Sequence, residues 1–318
     1  MTAVAKKAAR FRPAAIALTV CAAVVPGCSS SVLDDPAAST TVTVGAGDAA
    51  DETLLAYLYA GALRTTGIDV EVRTGLDDPA AALDAAEVTL VPGYTGRLLD
   101  RYDPGAGQTD AEDVFAALAR ALPDELTVSD YASAQDRAVL LADTAALAAG
   151  SIAAGSVTTV ADLVPRCPEL TLLVTESFGS AGGLDALDAV DCRPREIRTV
   201  DDERAVADLT GPGLLLGTTT TLPALSGTGT DATVKAVPDV PDRTSRDEAD
   251  ADVTAAPVFP AQNVVPVLRK GILGEPQLDA LRTIAGELTT ADLAELRARI
   301  DDGEDRETVA RTWLEEHA

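Results

Sequence analysis

Apolar residues along this 318-residue chain change repeatedly between the spacing of a strand and that of a helix. Alternation over residues 41–44 predicts a first strand, and apolar residues at i, i+3 and i+4 over 51–66 predict the helix that follows it. Further strands are predicted over 68–72, 88–91, 126–129, 138–141, 170–174, 196–200, 214–218, 233–237 and 263–268. Further helices are predicted over 79–86, 111–122, 159–164, 184–190 and 204–209, with three more after the last strand. Asp110 is placed to cap one helix, and Thr289 and Asp292 have capping-box spacing. Strands that alternate with helices in this way predict an α/β fold.

The segment 90–99 places two hydrogen-bonding side chains where a strand gives way to a helix. Pro92 and Gly93 are expected to end the apolar strand, and helical spacing resumes shortly afterwards. Tyr94 and Thr95 then lie at the carboxyl end of a strand, where ligands bind in open α/β sheets. The aromatic face and the two hydroxyl groups indicate a binding position. The alternative is a buried tyrosine that only supports the turn.

The N-terminal segment carries the features of an exported chain. Basic residues between positions 6 and 12 precede an apolar run over 14–25, which is too short to span a bilayer. The four residues V-P-G-C that end in Cys28 resemble the lipobox of bacterial lipoproteins. We therefore predict a signal peptide over 1–27, a lipidated Cys28 and a flexible tether over 28–40, which would hold the protein on the outer face of the cell membrane. The alternative is a cysteine that lies near a conventional cleavage site.

The remaining cysteines form an even pair. Cys21 leaves with the signal peptide, which leaves Cys167 and Cys192 in the exported domain. Because an extracytoplasmic compartment is oxidising, we predict that these two residues form a disulfide. Two free buried thiols are the alternative.

The net charge of the chain limits the classes of partner that it is expected to bind. Its formal net charge is −26, and because residues 1–27 hold only basic charges, four in number, the remainder carries −30. This balance argues against a nucleic-acid partner, which requires a basic face. Hydrophobic residues make up 47% of the chain but aromatic residues only 3%, so its cores must be built from Ala, Val and Leu.

Motifs for catalysis are weak. Gly45-x-Gly47-x-x-Ala50 fits a dinucleotide-binding fingerprint, although Asp48 would repel a pyrophosphate. The single histidine is His317, so a Ser-His-Asp triad is not expected. The acidic run 247–252 lacks EF-hand spacing. We therefore expect no catalytic residues, no metal and no cofactor, and keep a dinucleotide-binding oxidoreductase as the weaker alternative.

Several segments together carry a resemblance to a known family. They are PGYTG at 92–96, NVVPVLRK at 263–270, LTTADLAEL at 288–296, VARTWL at 309–314, and the strand–glycine–helix segment at 45–60. The chain resembles the periplasmic-type binding proteins for glycine betaine, choline and related osmoprotectants, from about residue 41 to the end.

The resemblance implies a two-lobe clamp of the type II periplasmic-binding-protein fold. Lobe one would comprise 41–139 and 236–318, and lobe two 140–235, with the ligand cleft between them. The protein would be the solute-binding subunit of an ABC importer, and closure of its lobes would signal a membrane permease and its ATPase. A ligand-sensing or interaction lipoprotein that kept the fold is the alternative.

The resemblance also implies where a ligand would bind, and here the chain departs from its family. Family members hold quaternary ammonium ions in a cage of aromatic rings, of which only Tyr94 is matched. The other three cage positions fall on Arg137, Thr218 and Gln262, unless the register is shifted and Tyr131 or Phe178 rebuilds part of the cage. We therefore expect a polar cleft, weak or no binding of glycine betaine and choline, and a polar or anionic solute held by Tyr94 and Arg137. The predicted ligand-binding residues are Glu52, Tyr94, Thr95, Gln135, Arg137, Thr218, Gln262 and Asn263.

Overall fold

The fold is seen in a computed structural model that describes residues 41–143, 159–201, 205–209, 213–222, 234–239 and 256–317. The predicted signal peptide, Cys28, the tether and the acidic run 247–252 lie outside these residues. Within them the strands are β1 Val42–Gly45, β2 Val70–Arg73, β3 Leu90–Tyr94, β4 Leu126–Val128, β5 Ala138–Asp143, β6 Thr171–Val174, β7 Glu196–Thr199, β8 Leu214–Thr219, β9 Val234–Val237 and β10 Val264–Arg269. The helices are α1 Ala50–Arg64, α2 Pro79–Asp84, α3 Thr95–Tyr102, α4 Ala111–Ala121, α5 Val160–Leu163, α6 Glu176–Ser180, α7 Gly183–Ala189, α8 Ala205–Asp208, α9 Glu275–Glu287, α10 Thr290–Asp301 and α11 Arg306–His317. The predicted α/β class is confirmed.

The strands form two separate sheets. Among the described residues the first has the order β2-β1-β3-β10-β4 and the second the order β7-β6-β8-β5-β9. The first sheet thus takes strands from before residue 130 and after residue 260, and the second takes those from 138 to 237. This grouping supports the predicted two lobes, with β5 and β9 wholly in the second sheet; the lobe boundaries stay a prediction.

Both sheets are covered on both faces, and the sequence shows why. In β10 the side chains of Val264 and Leu268 pack with α1 and the C-terminal helices, whereas Val265 and Val267 pack with α3 and α4. Successive side chains of a strand point to opposite faces, so a strand that is buried on both must be apolar throughout. β6 is built in the same way, because Leu172 and Leu173 belong to different cores.

The predicted end of β3 at Pro92-Gly93 is wrong, because the strand continues through both residues to Tyr94. Pro92 lies opposite Pro266 in the antiparallel pair of β3 and β10. The neighbouring hydrogen bonds, from Thr95 to Asn263 and at the other end from Arg269 to Thr89, place the two prolines in a pair whose members do not bond each other. Neither proline therefore has to donate a hydrogen bond to the other strand of this pair.

Three predictions made from the sequence are confirmed by the structure. The Asp110 carboxylate accepts a hydrogen bond from the Glu112 amide, as an N-cap should. Thr289 and Asp292 form the predicted capping box at the start of α10. The predicted disulfide between Cys167 and Cys192 is present, with the two Cα atoms 5.3 Å apart.

Candidate functional site

The two lobes join where the segment before β5 meets the segment after β8. The Thr220 amide donates to the Arg137 carbonyl oxygen over 2.8 Å, and the Thr220 hydroxyl donates to the Gln135 carbonyl oxygen over 2.8 Å. Gln135 also pairs with Asn263, just before β10. Three chain segments therefore converge at this crossing, and predicted binding residues lie on each of them.

Tyr94 ends β3 beside this crossing. Its side chain is buried, and the guanidinium carbon of Arg97 lies 4.4 Å from the centre of its ring. Burial raises the pKa of Tyr94 well above its usual value, and the carboxylates of Asp51 and Asp136 act in the same direction. The phenol is thus neutral, and one face of its ring is in contact with a cation.

Asp136 is the electrostatic centre of the site. Only 1% of the residue is exposed, and its carboxylate lies 2.7 Å from Arg97, 3.5 Å from Arg297 and 2.6 Å from the Thr221 hydroxyl. Burial opposes ionisation, but the two guanidinium groups and the hydroxyl bonds outweigh it and hold the pKa of Asp136 below its usual value. Since α3, α10 and the turn after β8 all reach this carboxylate, it links both lobes.

Gln262 makes a second link between the lobes. Its side-chain oxygen accepts from the Arg97 amide over 3.0 Å, and its side-chain nitrogen donates to the Ala181 carbonyl oxygen over 3.2 Å, in the turn between α6 and α7. The approach to α3 is close, because a Cβ atom added at Gly96 would lie 2.7 Å from the Gln262 nitrogen. Gln262 therefore holds the first turn of α3 against the second lobe.

Thr95 and Asn263 are engaged with the backbone. The Thr95 hydroxyl donates to the Ala261 carbonyl oxygen over 3.2 Å and accepts from the Asn263 amide over 3.0 Å. The Asn263 side-chain nitrogen donates to the Ala132 carbonyl oxygen over 2.8 Å. These contacts fix the junction of β3, α3 and β10, and they leave the Asn263 side-chain oxygen for another partner.

Glu52 lies on α1 and accepts a hydrogen bond from the Gly47 amide over 2.9 Å. Burial raises its pKa, and the neighbouring Asp51 adds to the effect. The carboxylate fills the space above Gly47 that a bound phosphate would need. This arrangement disfavours the dinucleotide alternative, because an acidic group already occupies the glycine-rich turn.

Arg137 lies in a different environment from the ligand-binding position predicted for it. Its guanidinium lies 2.7 Å from the Asp239 carboxylate and also donates to the Phe259 carbonyl oxygen. Burial lowers the pKa of Arg137, and the Asp239 charge opposes this effect. Its contacts thus hold the crossing segments together, and the guanidinium that faces Tyr94 belongs to Arg97.

The rings that a shifted register might have brought to the cage are packed elsewhere. Tyr131 lies against Phe115, with ring centres 4.9 Å apart, and Phe178 lies against Phe259 at 5.7 Å. Phe178 is fully buried and also contacts Gly217. Among the described residues neither ring pairs with the ring of Tyr94.

Four predicted binding residues carry a buried polar atom that has no hydrogen-bond partner among the described residues. These atoms are the Tyr94 hydroxyl, the Gln135 side-chain oxygen, the Thr218 hydroxyl and the Asn263 side-chain oxygen. The Arg97 Nε is also buried and has no hydrogen-bond partner among the described residues. Buried polar atoms are nearly always bonded, and these five include both donors and acceptors that a bound solute could engage.

A cavity between the lobes reaches Arg97 and Gln262, and the four residues with unpartnered atoms are not among those that line it. It has a volume of about 510 Å³ and is lined on one side by α3 and the loop 105–109 and on the other by 179–189, with Arg97 and Gln262 on its wall. Its size is sufficient for a small solute. Among the described residues no cluster of His, Cys, Asp or Glu is arranged to hold a metal ion. None of their helices combines the length and apolar character that a membrane span requires.

Four residues of this network were not among the predicted binding residues, namely Asp136, Arg97, Arg297 and Thr221. Arg97 and Asp136 each lie within two positions in sequence of a residue that was predicted to be part of the site. The sequence therefore indicates their position near the site but not that they pair with each other. Arg297 lies 161 residues from Asp136 in the chain, and no local pattern connects them.

Two α/β lobes with a cavity between them are typical of the two-lobe class of solute-binding proteins. A family profile described as the substrate-binding domain of ABC-type glycine betaine transport systems matches residues 40–173 and 251–316. The chain belongs to this family, whose members bind solutes and work outside the cytoplasm, and it is the substrate-binding protein of an ABC importer.

Solved structures support the same fold. A glycine betaine/carnitine/choline ABC transporter protein is 14% identical with a TM-score of 0.63, over 87% of this chain and 98% of that one. Apo YehZ from Escherichia coli is 17% identical with a TM-score of 0.59, over 87% and 98%. A choline-binding protein of an ABC transporter in complex with choline is 16% identical with a TM-score of 0.53, over 87% and 88%. No curated protein sequence matches the chain.

Proposed function

We propose that this protein captures a small polar solute in the cleft beside Tyr94 and delivers it to an ABC permease and its ATPase. Its lipidated Cys28 would tether it to the outer face of the membrane. The observation that carries the proposal is the group of unpartnered buried atoms on Tyr94, Gln135, Thr218 and Asn263, all at the junction of the lobes. A solute bound there would contact both lobes and so stabilise their closure.

The cleft is poorly suited to a quaternary ammonium ion. The solved relatives are named for glycine betaine, carnitine or choline, whereas in this chain three of the four cage positions carry no ring. A cation–π contact contributes about 0.5–2 kcal/mol, so three lost contacts amount to very roughly 2–5 kcal/mol. At about 1.4 kcal/mol per tenfold change, the affinity falls by about 30-fold to 4,000-fold. The proposed substrate is therefore a polar solute that hydrogen-bonds to both lobes.

A thermal-shift screen of betaines, choline, carnitine, amino acids and polyols, followed by calorimetry, tests this function. We expect a polar solute to raise the melting temperature and glycine betaine to bind weakly or not at all. Thr218→Val removes a protein hydroxyl that would bond the solute. The affinity for the solute should therefore fall by about two- to tenfold. The matched control is Thr127→Val, whose hydroxyl bonds Val128 at the far edge of the first sheet.

Two results would contradict these expectations. Micromolar binding of glycine betaine that is abolished by Tyr94→Ala would show that the proposed substrate class is wrong, although the protein would still capture a solute at this site. If no compound binds and Thr218→Val leaves the melting behaviour of every mixture unchanged, the proposed capture of a solute fails.

The proposed anchor has its own test. Cys28→Ala removes the sulfur that the lipid would occupy, so the protein should appear in the medium or remain as an unprocessed precursor. Membrane fractionation and intact-mass measurement check this, with Thr127→Val as the control that leaves both the lipobox and the disulfide intact. A Cys28→Ala protein that is correctly processed and stays on the membrane would show that the anchor proposal is wrong.

A further inference from the structure

The surroundings of the Arg97 guanidinium have the composition of a binding site for a cation. One side is the ring of Tyr94, whose centre is 4.4 Å from the guanidinium carbon. The Asp136 carboxylate lies 2.7 Å away and the Asp51 carboxylate 3.7 Å away. An aromatic face combined with carboxylates is the arrangement by which proteins hold organic cations. The occupant in this chain is its own side chain.

Arg97 is held in this place from both ends. Its amide is bonded to Gln262, which fixes the first turn of α3, and its side chain is three-quarters buried. The carboxylate that it neutralises does not depend on it alone, because Asp136 also contacts Arg297 and Thr221. Removal of the Arg97 side chain would therefore leave the carboxylates and the ring in place around an open position.

We propose that Arg97 determines the specificity of the cleft by occupying its cation site, so that the cleft selects solutes without a fixed positive charge. This proposal rests on the proposed function, in that a solute binds beside Tyr94. A ligand ammonium would have to displace a guanidinium that is bonded to a buried carboxylate. A neutral hydroxylated solute meets no such barrier, because the unpartnered Arg97 Nε and the Gln135 and Asn263 side-chain oxygens offer it both donors and acceptors.

The test is to open the site and measure whether organic cations enter. In Arg97→Ala we expect saturable binding of tetramethylammonium and of methylguanidinium, by calorimetry and by a rise in melting temperature. The gain over the wild-type chain should be about tenfold or more. Potassium chloride at equal concentration controls for ionic strength. Arg101→Ala is the matched control variant, since Arg101 lies on the same helix but pairs with the exposed Asp78.

A second variant covers the case in which Arg97→Ala fails to fold. Arg97→Gln keeps an N–H donor for Asp136 but carries no charge and leaves the ring face open. It should also gain binding of both cations. If the folded variants bind neither cation, or if the wild-type chain binds them as tightly as the variants do, the proposal is overturned.

The outcomes separate this proposal from the proposed function. If a polar solute from the screen binds the wild-type chain but the Arg97 variants gain no cation, only the role of Arg97 is wrong. If the variants gain the cation while no solute binds the wild-type chain, the cation site stands and the proposed capture of a solute fails.

Discussion

Replacing Asp136 by alanine is expected to lower the free energy of unfolding by about 3–5 kcal/mol, because it leaves two guanidinium groups in a partly buried site without their shared carboxylate. Arg97 and Arg297 both contact Asp136, and the Thr221 hydroxyl would lose its acceptor as well. Chemical denaturation of the variant and the wild-type chain at neutral pH measures the effect.

The control is Asp78→Ala, which removes an exposed carboxylate that is paired with Arg101. Exposed ion pairs contribute about 1 kcal/mol or less, so this variant should lose little stability. If Asp136→Ala loses no more stability than Asp78→Ala, the buried network does not support the fold and our account of Asp136 is wrong.

The same carboxylate predicts a pH dependence. The pKa of Asp136 is lowered in the folded chain, because the guanidinium groups outweigh the effect of burial. Its ionised form therefore stabilises the fold above the ordinary carboxylate pKa of about 3.9, and this contribution is lost as the pH falls below that value toward the folded pKa. The stability difference between the wild-type chain and Asp136→Asn should be largest near neutral pH and should shrink below about pH 4. A difference that grows in acid would contradict this sign.

Loss of the disulfide is the other large effect. Cys167 and Cys192 are 25 positions apart, and a closed loop of that length stabilises a fold by about 3–4 kcal/mol. The double variant Cys167→Ser with Cys192→Ser should lose that amount in chemical denaturation. A reductant should lower the stability of the wild-type chain in the same way.

The double variant also serves as the control for the reductant treatment. Because it has no disulfide to reduce, the reductant should not change its stability. Peptide mapping that finds both cysteines alkylated without a reductant would contradict the bond in the natural protein. The closed loop contains α6, α7 and the turn at Ala181 that Gln262 contacts. Solute affinity should therefore also fall in the double variant, because one wall of the cleft is less firmly held.

The architecture was predictable because it depends on short-range patterns. The order of strands and helices follows from periodicity, and Tyr94 was placed near the ligand cleft by the rule that strand ends carry binding residues. The end of β3 was predicted wrongly because Pro92 and Gly93 usually interrupt a strand. In the structure a proline of the neighbouring strand lies opposite Pro92, a pairing between residues 174 positions apart that no local rule can supply.

The polar network was not predictable for a related reason. An alignment assigns a position to Arg137 but not the direction of its side chain, which turns toward Asp239 at the crossing. The partners of Asp136 come from α3, α10 and the turn after β8, which only the tertiary fold brings together. The capping residues Asp110 and Thr289 were found because their partners lie within three residues.

The facing prolines of the first sheet have a consequence for the orientation of Tyr94. Strand pairs can slip by one residue, which turns every side chain to the opposite face of the sheet. Here such a slip would force either Pro92 or Pro266 into a position that requires an N–H donor, and the pair would lose a hydrogen bond. The two prolines thus penalise the misaligned pairing during folding, and in doing so they determine that the tyrosine ring two residues further along faces the buried carboxylates.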